Sequence, residues 1–343
     1  LNQLKRLKLL IRMFDYSWKI QNEYPAKGIS KNNKKVFGTF VCGGGSTMGY
    51  KLAGFEHLGG VEIDPRIAEV YKLNHKPNHL FIEDIRDFAS RQKYPEDLYN
   101  LDILDGSPPC SSFSIAGNRE KDWGKTKAFK EGQAEQRLDD LFFDYIKLAK
   151  KLQPKIVLAE NVKGLIQGNA KSYVHKIKKE FQLAGYKVQL FLLNAATMGV
   201  PQKRERIFFI CQRHDLNLPK LNLKFDCPAI PFSEISEIDS TVNLTKKYSE
   251  YWDQAKQGES VGKFKAIKKL KLNSVSYTIH TGDIYHPTQK RTLTKTEYCK
   301  IGSYPLDYCF KNIDPKYLIG MSVPPVMTAQ IANQINIQWL KKI

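Results

Sequence analysis

Short unbroken apolar runs alternate along this chain with stretches whose apolar residues recur every three or four positions. Val36 to Val41, Gly60 to Ile63, Leu80 to Ile82, Ile156 to Ala159, Lys187 to Leu193 and Ile207 to Cys211 read as strands, and Leu101, Ile103 and Leu104 form another. A helix is predicted to begin near Thr47, carrying Tyr50, Leu52 and Phe55. The next opens at Pro65, in proline's favoured first helical position, and runs to about His75. Leu138, Leu141, Phe142, Tyr145, Leu148 and Leu152 share one face of a helix from Arg137 to Leu152, which Gln153-Pro154 ends. Tyr173, Val174, Ile177 and Phe181 mark a further helix, and Ile331 to Trp339 a closing one. Strands and helices in alternation predict an α/β fold, a sheet with helices on both faces.

Three regions break the pattern. Leu4, Leu7, Ile11, Phe14 and Trp18 form a narrow helical stripe with Lys5, Arg6, Lys8 and Arg12 off it, followed by a polar linker from Lys27 to Lys35. Residues 1–35 hold nine basic and two acidic residues, a balance of +7. Two readings of this arm stay open: a helix docked on the main domain with a solvated basic face, or an arm that contacts phosphates. Ser111 to Gln136 is polar, with Gly117, Gly124 and Gly132 and little periodicity. Loops of this length in a compact domain are commonly lids or disordered, and its place beside Cys110 favours a lid. Residues 213–287 are also weakly periodic and carry no motif.

Composition narrows the function classes. The 343 residues suit one large or two unequal domains, and 42% hydrophobic content is enough for a core. A formal charge of +19 points to a polyanionic partner. No apolar run approaches the ~20 residues of a membrane span, which favours nucleic acid over a membrane. The six cysteines (Cys42, Cys110, Cys211, Cys227, Cys299 and Cys309) make no C-x-x-C pair, so neither a zinc site nor a disulfide framework is expected. No signal peptide is visible, and a reducing, cytoplasmic setting is expected.

Candidate chemistry gathers at strand ends. Cys42-Gly43-Gly44-Gly45 follows the first strand, and Glu62-Ile63-Asp64 ends the second about 20 residues on, a spacing that lets a carboxylate hold ribose hydroxyls. Asp84-Ile85 ends the third. Consecutive glycines let a backbone approach a ligand closely and take up φ > 0. Such a site serves nicotinamide dinucleotides and S-adenosyl-L-methionine alike. After Asp105-Gly106, Pro108-Pro109 stiffen a turn and Cys110 follows at once, either a buried thiol or a nucleophile. Glu160-Asn161-Val162 is delivered to the same sheet edge, where an acid beside a thiol suggests catalysis. Gln202-Lys203-Arg204-Glu205-Arg206 places two guanidinium forks just before a strand, as a solvated hairpin or as readers of carbonyl and phosphate oxygens.

In this order, together with Arg291-Thr292-Leu293-Thr294, Glu297 and Gly320-Met321-Ser322-Val323-Pro324, these motifs resemble those of the cytosine-C5 DNA methyltransferase family. The resemblance covers residues 36–212 and 288–335. It implies a Rossmann-like S-adenosylmethionine-dependent methyltransferase sheet with a small target-recognition domain. The expected parts are a basic arm and linker (1–35), a catalytic and cofactor-binding domain (36–212), a target-recognition domain (213–287) and a segment completing the catalytic domain (288–343). Cys110 is implied as the nucleophile at C6 of a flipped cytosine, Glu160 as partner of the base's N3 and amino edge, and Arg204 and Arg206 as ligands of its O2 side. S-adenosyl-L-methionine is implied to lie against Phe40, Gly43, Gly44, Glu62, Ile63, Asp84, Ile85, Pro108, Leu141, Met321 and Val323. DNA contacts are expected from Ser111, Ser114, Arg137, Gln202, Arg291 and the insert, where Lys263, Lys265, Lys268, Lys269 and Lys271 suit phosphates. Tyr277, His280, Tyr285 and His286 are candidate base readers, against the alternative of a β-rich insert with these aromatics in its core.

Two departures stand out. Cys42 replaces a family glycine, with Gly43 expected to supply the lost freedom, and Met321 replaces an asparagine near the cofactor's amino-acid end, which predicts weaker cofactor binding. The expected partners are double-stranded DNA and a cognate restriction endonuclease, with a monomer at the nucleoid, no membrane and no metal. The alternatives are a transfer-RNA cytosine-C5 methyltransferase and a catalytically inactive DNA-binding relative. An adenine methyltransferase would need an aromatic residue where Cys110 stands, and a dinucleotide oxidoreductase leaves Cys110, Glu160 and the arginines unexplained.

Overall fold

A computed structural model describes residues 13–22, 24–109, 141–167, 170–238, 244–260, 268–280 and 282–343. Seven strands form one sheet: β1 (Lys35–Thr39), β2 (Glu56–Glu62), β3 (His79–Ile82), β4 (Ile103–Gly106), β5 (Ile156–Val162), β6 (Tyr186–Asn194) and β7 (Glu205–Arg213). Their order is β3-β2-β1-β4-β5-β7-β6, with β1 to β5 parallel and β7 antiparallel to both of its neighbours. The order reverses between β1 and β4, which opens a crevice at the carboxyl edge of the sheet.

Residues alternating along the strands feed two cores. Val36, Ile103, Ile156, Leu158, Phe208 and Ile210 face one way, and Phe37, Leu104, Val157, Ala159, Ile207 and Phe209 the other. Helices α1 (Gly45–Leu52) and α2 (Pro65–His75) follow β1 and β2, and α3 (Ile85–Ser90), α4 (Leu141–Leu152) and α5 (Lys171–Leu183) cover the second face. Helix α2 starts where its sequence demands, with Asp64 accepting from the Arg66 backbone N–H at 2.9 Å and Pro65 in the first turn.

After β7 come α6 (Lys246–Gln254), two-residue strands β8 (Lys268–Lys269) and β9 (Ile284–Tyr285), and helices α7 (Lys295–Gly302), α8 (Pro315–Met321) and α9 (Pro325–Gln338). Residues 213–287 are therefore not β-rich in their described parts. Helix α9 packs on α1 with Gly49 at the crossing, where a Cβ would lie 2.4 Å from Thr328 Cβ. The described start of the arm is docked but not helical. Phe14 and Trp18 are buried, and the Trp18 indole donates to the Ser303 carbonyl at 2.9 Å. The Asp15 carboxylate accepts from the Ser17 N–H at 3.0 Å, a local bond that competes with helix.

Candidate active site

Strand β7 assembles the acid and the arginine. Its antiparallel register sets Phe208 opposite Glu160 and Arg206 opposite Val162, so Glu160 and Arg206 are diagonal neighbours on one face. Arg206 Nε lies 2.9 Å from Glu160 Oε1, and both side chains are largely buried. Burial pulls the Arg206 pKa down, and the Glu160 carboxylate opposes that shift. Asn161 donates from its side-chain amide to the Pro108 carbonyl at 3.1 Å, which ties the proline turn to the end of β5. Cys110 itself lies outside the described residues, as do Ser111, Ser114, Arg137, Lys263 and Lys265.

Arg204 points elsewhere. Its Nη2 donates to the Gly320 carbonyl at 3.0 Å, its buried Nε has no partner among the described residues, and burial lowers its pKa to about 9. The first arginine of the motif is thus joined to α8 instead of to Glu160.

A cleft opens at the carboxyl edge of the sheet. Its wall comprises Thr39 at the end of β1, residues 40–42 after it, Gly45, Ser46 and Thr47 of α1, Asp105 of β4, Ser107 just after it, and Met321, Ser322 and Val323. Of the expected cofactor contacts, Phe40, Met321 and Val323 stand in this wall. Glu62 reaches it indirectly, accepting from the backbone N–H groups of Cys42 (2.9 Å) and Asp64 (3.0 Å). Burial raises the Glu62 pKa, and those hydrogen bonds oppose the rise. Ile63, Asp84, Ile85, Pro108 and Leu141 are not part of that wall. Asp84 caps α3 and holds Arg86 by its backbone N–H, Nε and Nη2 at 2.6–2.9 Å, so a ligand must compete for its carboxylate.

Gly44 takes the positive φ (77°) that glycine permits, and the loop is also packed tightly against protein. A Cβ on Gly43 would meet Leu318 Cγ at 2.7 Å, one on Gly44 would meet His75 Nε2 at 2.1 Å, and one on Gly45 would meet the Val323 carbonyl at 2.1 Å. These glycines are required by close packing of protein on protein. Gly43 does not supply the freedom lost at position 42 either. Cys42 itself is left-handed at φ 47°, next but one to Phe40 at φ 55°.

Several expected DNA contacts are interior. Arg291 is 1% exposed and forks onto Glu297 with Nη1–Oε2 2.7 Å and Nη2–Oε1 2.9 Å. Gln202, also 1% exposed, donates to the Ile301 carbonyl and accepts from the Ile279 N–H. Tyr285 and His286 are fully buried, and His286 Nε2 lies 2.8 Å from Ser236 Oγ. Lys269 donates to the carbonyls of Trp252 and Ala255. Tyr277 donates to the Gly258 carbonyl beneath Lys268, and His280 Nδ1 accepts from the Gly282 N–H. Arg291, Gln202, His286 and Lys269 are satisfied within the protein, and Tyr285 is fully buried, which removes these five from the readout surface.

Sequence reasoning passed over Asp105, Ser46, Thr47, Ser107 and Ser322. Asp105 had stood only as a strand stop, and the hydroxyl residues carried no spacing signal. No cluster suited to a metal and no helix long and apolar enough to cross a membrane occurs among the described residues.

The sheet order, the reversed β7 and the cleft at the carboxyl edge define the class of Rossmann-like methyltransferases. A protein described as a DNA modification methyltransferase encoded within an E. coli prophage shares this fold at TM-score 0.72 and 18% identity, over 89% of this chain and 99% of that one. A Dnmt2 mutant from Spodoptera frugiperda does so at TM-score 0.62 and 19% identity, over 88% and 99%. The chain belongs to the C-5 cytosine-specific DNA methylase family, whose model matches residues 35–255. It is 39% identical to the Type II methyltransferase M.FnuDI of Fusobacterium nucleatum over 57% of this chain and 51% of that protein. It is 28% identical to the Type II methyltransferase M.NgoPII of Neisseria gonorrhoeae over 92% and 98%.

Proposed function

We propose that this protein transfers a methyl group from S-adenosyl-L-methionine to C5 of a flipped cytosine in double-stranded DNA, as the modifying half of a restriction–modification pair. The observation that carries the reading is the buried Glu160–Arg206 pair, set beside the turn that leads to Cys110. C5 of cytosine is a weak nucleophile, and a thiolate added at C6 makes it an enamine-like one. Cys110 supplies that thiolate. Glu160 binds the N3 and amino edge of the base, and Arg206, 2.9 Å from Glu160, faces the O2 side. The cytosine must leave the stack to reach them.

The cleft suits the cofactor in its chemistry. Thr39, Ser46, Ser107 and Ser322 bring hydroxyls to it, α1 presents its amino terminus, and Phe40 and Val323 add apolar surface. When bound, S-adenosylmethionine supplies an electrophilic sulfonium methyl. Residues 213–287 are the proposed target-recognition domain, with the protein acting as a monomer.

The test is transfer of labelled methyl to random-sequence duplex DNA, with Cys110→Ala alongside and product cytosines mapped by resistance to deamination. Methylation in one short context, lost in the variant, is expected. Transfer to transfer RNA but not to DNA overturns the DNA reading, and binding without transfer to either overturns the enzymatic one.

A further inference from the structure

The floor of the cleft holds a carboxylate for which the proposed chemistry of the base has no use. Asp105 is 5% exposed on β4 and shares the cleft wall with Gly45, Ser46 and Thr47 in the first turn of α1. Tyr50 on α1 donates to its Oδ1 at 3.1 Å, and Ser46 adds a second hydroxyl. The other ionisable groups that sense it are Tyr145 from α4, Tyr71 from α2 and Glu160 from β5. Burial keeps the three tyrosines neutral, and Glu160 contributes a carboxyl group, not a cation. Behind Thr47, burial holds His57 neutral as well. No lysine, arginine or protonated histidine faces Asp105 among the described residues.

A buried carboxylate without a cation is costly, and the cost is offset when a cation arrives at hydrogen-bond range. Burial pushes the Asp105 pKa up to about 7, against the pull of Tyr50 and Ser46, with Glu160 adding to the rise. The group is therefore poised to ionise when a positive charge enters the cleft. A purely structural Asp105 would need only its two hydroxyl donors, and it would not need to face the cleft.

We propose that Asp105 is the counter-charge for the cationic methionine end of S-adenosylmethionine, its α-ammonium or its sulfonium. The assignment rests on the cofactor reading above and goes beyond it by naming the group that recognises the charge.

The experiment is calorimetric titration of the whole protein with S-adenosylmethionine and with S-adenosylhomocysteine, which keeps the α-ammonium and lacks the sulfonium. Wild type, Asp105→Asn and Tyr50→Phe are compared after circular dichroism has shown that each is folded. Asparagine keeps an acceptor for Tyr50 and removes the charge, so S-adenosylmethionine is expected to bind about tenfold more weakly or worse. An equal loss for both ligands assigns Asp105 to the α-ammonium, and a loss confined to S-adenosylmethionine assigns it to the sulfonium. Tyr50→Phe keeps the charge and is expected to stay within about threefold of wild type. Asp105→Asn binding as tightly as wild type, or Tyr50→Phe losing as much as Asp105→Asn, overturns the proposal. Failure of the wild type to bind either ligand strikes the cofactor reading itself. Should Asp105→Asn not fold, wild-type affinity for S-adenosylmethionine between about pH 5.5 and 7, below the usual range of the ligand's own amine, decides. Affinity rising several-fold supports the assignment, and a flat profile overturns it.

Discussion

Glu297→Ala is expected to be among the most destabilising single changes in this protein. The Glu297 side chain is 0% exposed and accepts four hydrogen bonds: two from the Arg291 guanidinium and one each from the backbone N–H groups of Thr294 (2.9 Å) and Glu237 (3.0 Å). It also closes the capping box at the start of α7. Burial opposes its ionisation, but Arg291 and those backbone donors hold its pKa below the ordinary carboxylate range. Removing it strands the Arg291 charge at 1% exposure, where only carbonyls and the Gln289 amide remain as partners. Breaking a buried pair in this way costs about 3–5 kcal/mol. Urea unfolding of purified wild type and variant reads that figure from the shift in midpoint at constant slope. Arg291→Met with Glu297→Leu should recover most of the loss, since neither charge is then left alone. A loss below about 1 kcal/mol for Glu297→Ala would refute the argument. In DNA-binding titrations, Arg291→Ala should leave the salt slope unchanged, because the guanidinium never reaches a phosphate.

Glu160→Gln and Arg206→Ala should each cut methyl transfer by about a hundredfold or more while cofactor affinity holds. Wild-type rates in either variant would remove the pair from the chemistry. Stability should fall as pH drops from about 6.5 towards 4, because burial depresses His75 to about 3 and His286 to about 4, and both are neutral only in the fold. Asp105, whose pKa is raised, works the other way, favouring the fold at low pH and losing that contribution as pH rises through about 7. Chemical denaturation at two pH values reads the sum, and equal stability at about pH 7 and 5 would contradict it. Met321→Asn should tighten S-adenosylmethionine binding several-fold, since Met321 lines the cleft at 55% exposure and a polar side chain fits there without repacking. An unchanged dissociation constant would argue that position 321 makes no polar contact.

Much of the sheet was legible because its strands are short apolar runs and its caps are local. The pair Asp64 and Pro65 fixed the start of α2 to the residue. Strand β5 was read as ending at Ala159, yet it continues to Val162 because β7 runs antiparallel beside it, a pairing that nothing within residues 156–162 announces. The sharing of a face by Glu160 and Arg206 has the same origin. Motif order located both residues and could not show that Arg204 turns away to the Gly320 carbonyl. The insert was the least legible part. Arg291, His286 and Tyr285 have the composition of a readout surface, but Arg291 bonds the Glu237 carbonyl and His286 meets Ser236, each about 50 residues away in a segment without periodicity. The cysteine at position 42 signalled strain correctly but misplaced its relief, since backbone conformation is set by the loop around it.

The rear support of the glycine loop comes from the far end of the described chain. Tyr308 donates to the Gly43 carbonyl across 265 residues, Val323 meets Gly45, and α9 fills the groove at Gly49. During synthesis all seven strands can therefore emerge with His75 in place at the Gly43 carbonyl but before Tyr308, Val323 or α9 exists. A nascent chain paused after β7 owns a sheet and half a cleft. Closing so long a loop is slow and entropically costly, and it is repaid only at the end. On the proposed cofactor reading, S-adenosylmethionine added during refolding should stabilise the finished protein while leaving its earlier intermediates untouched.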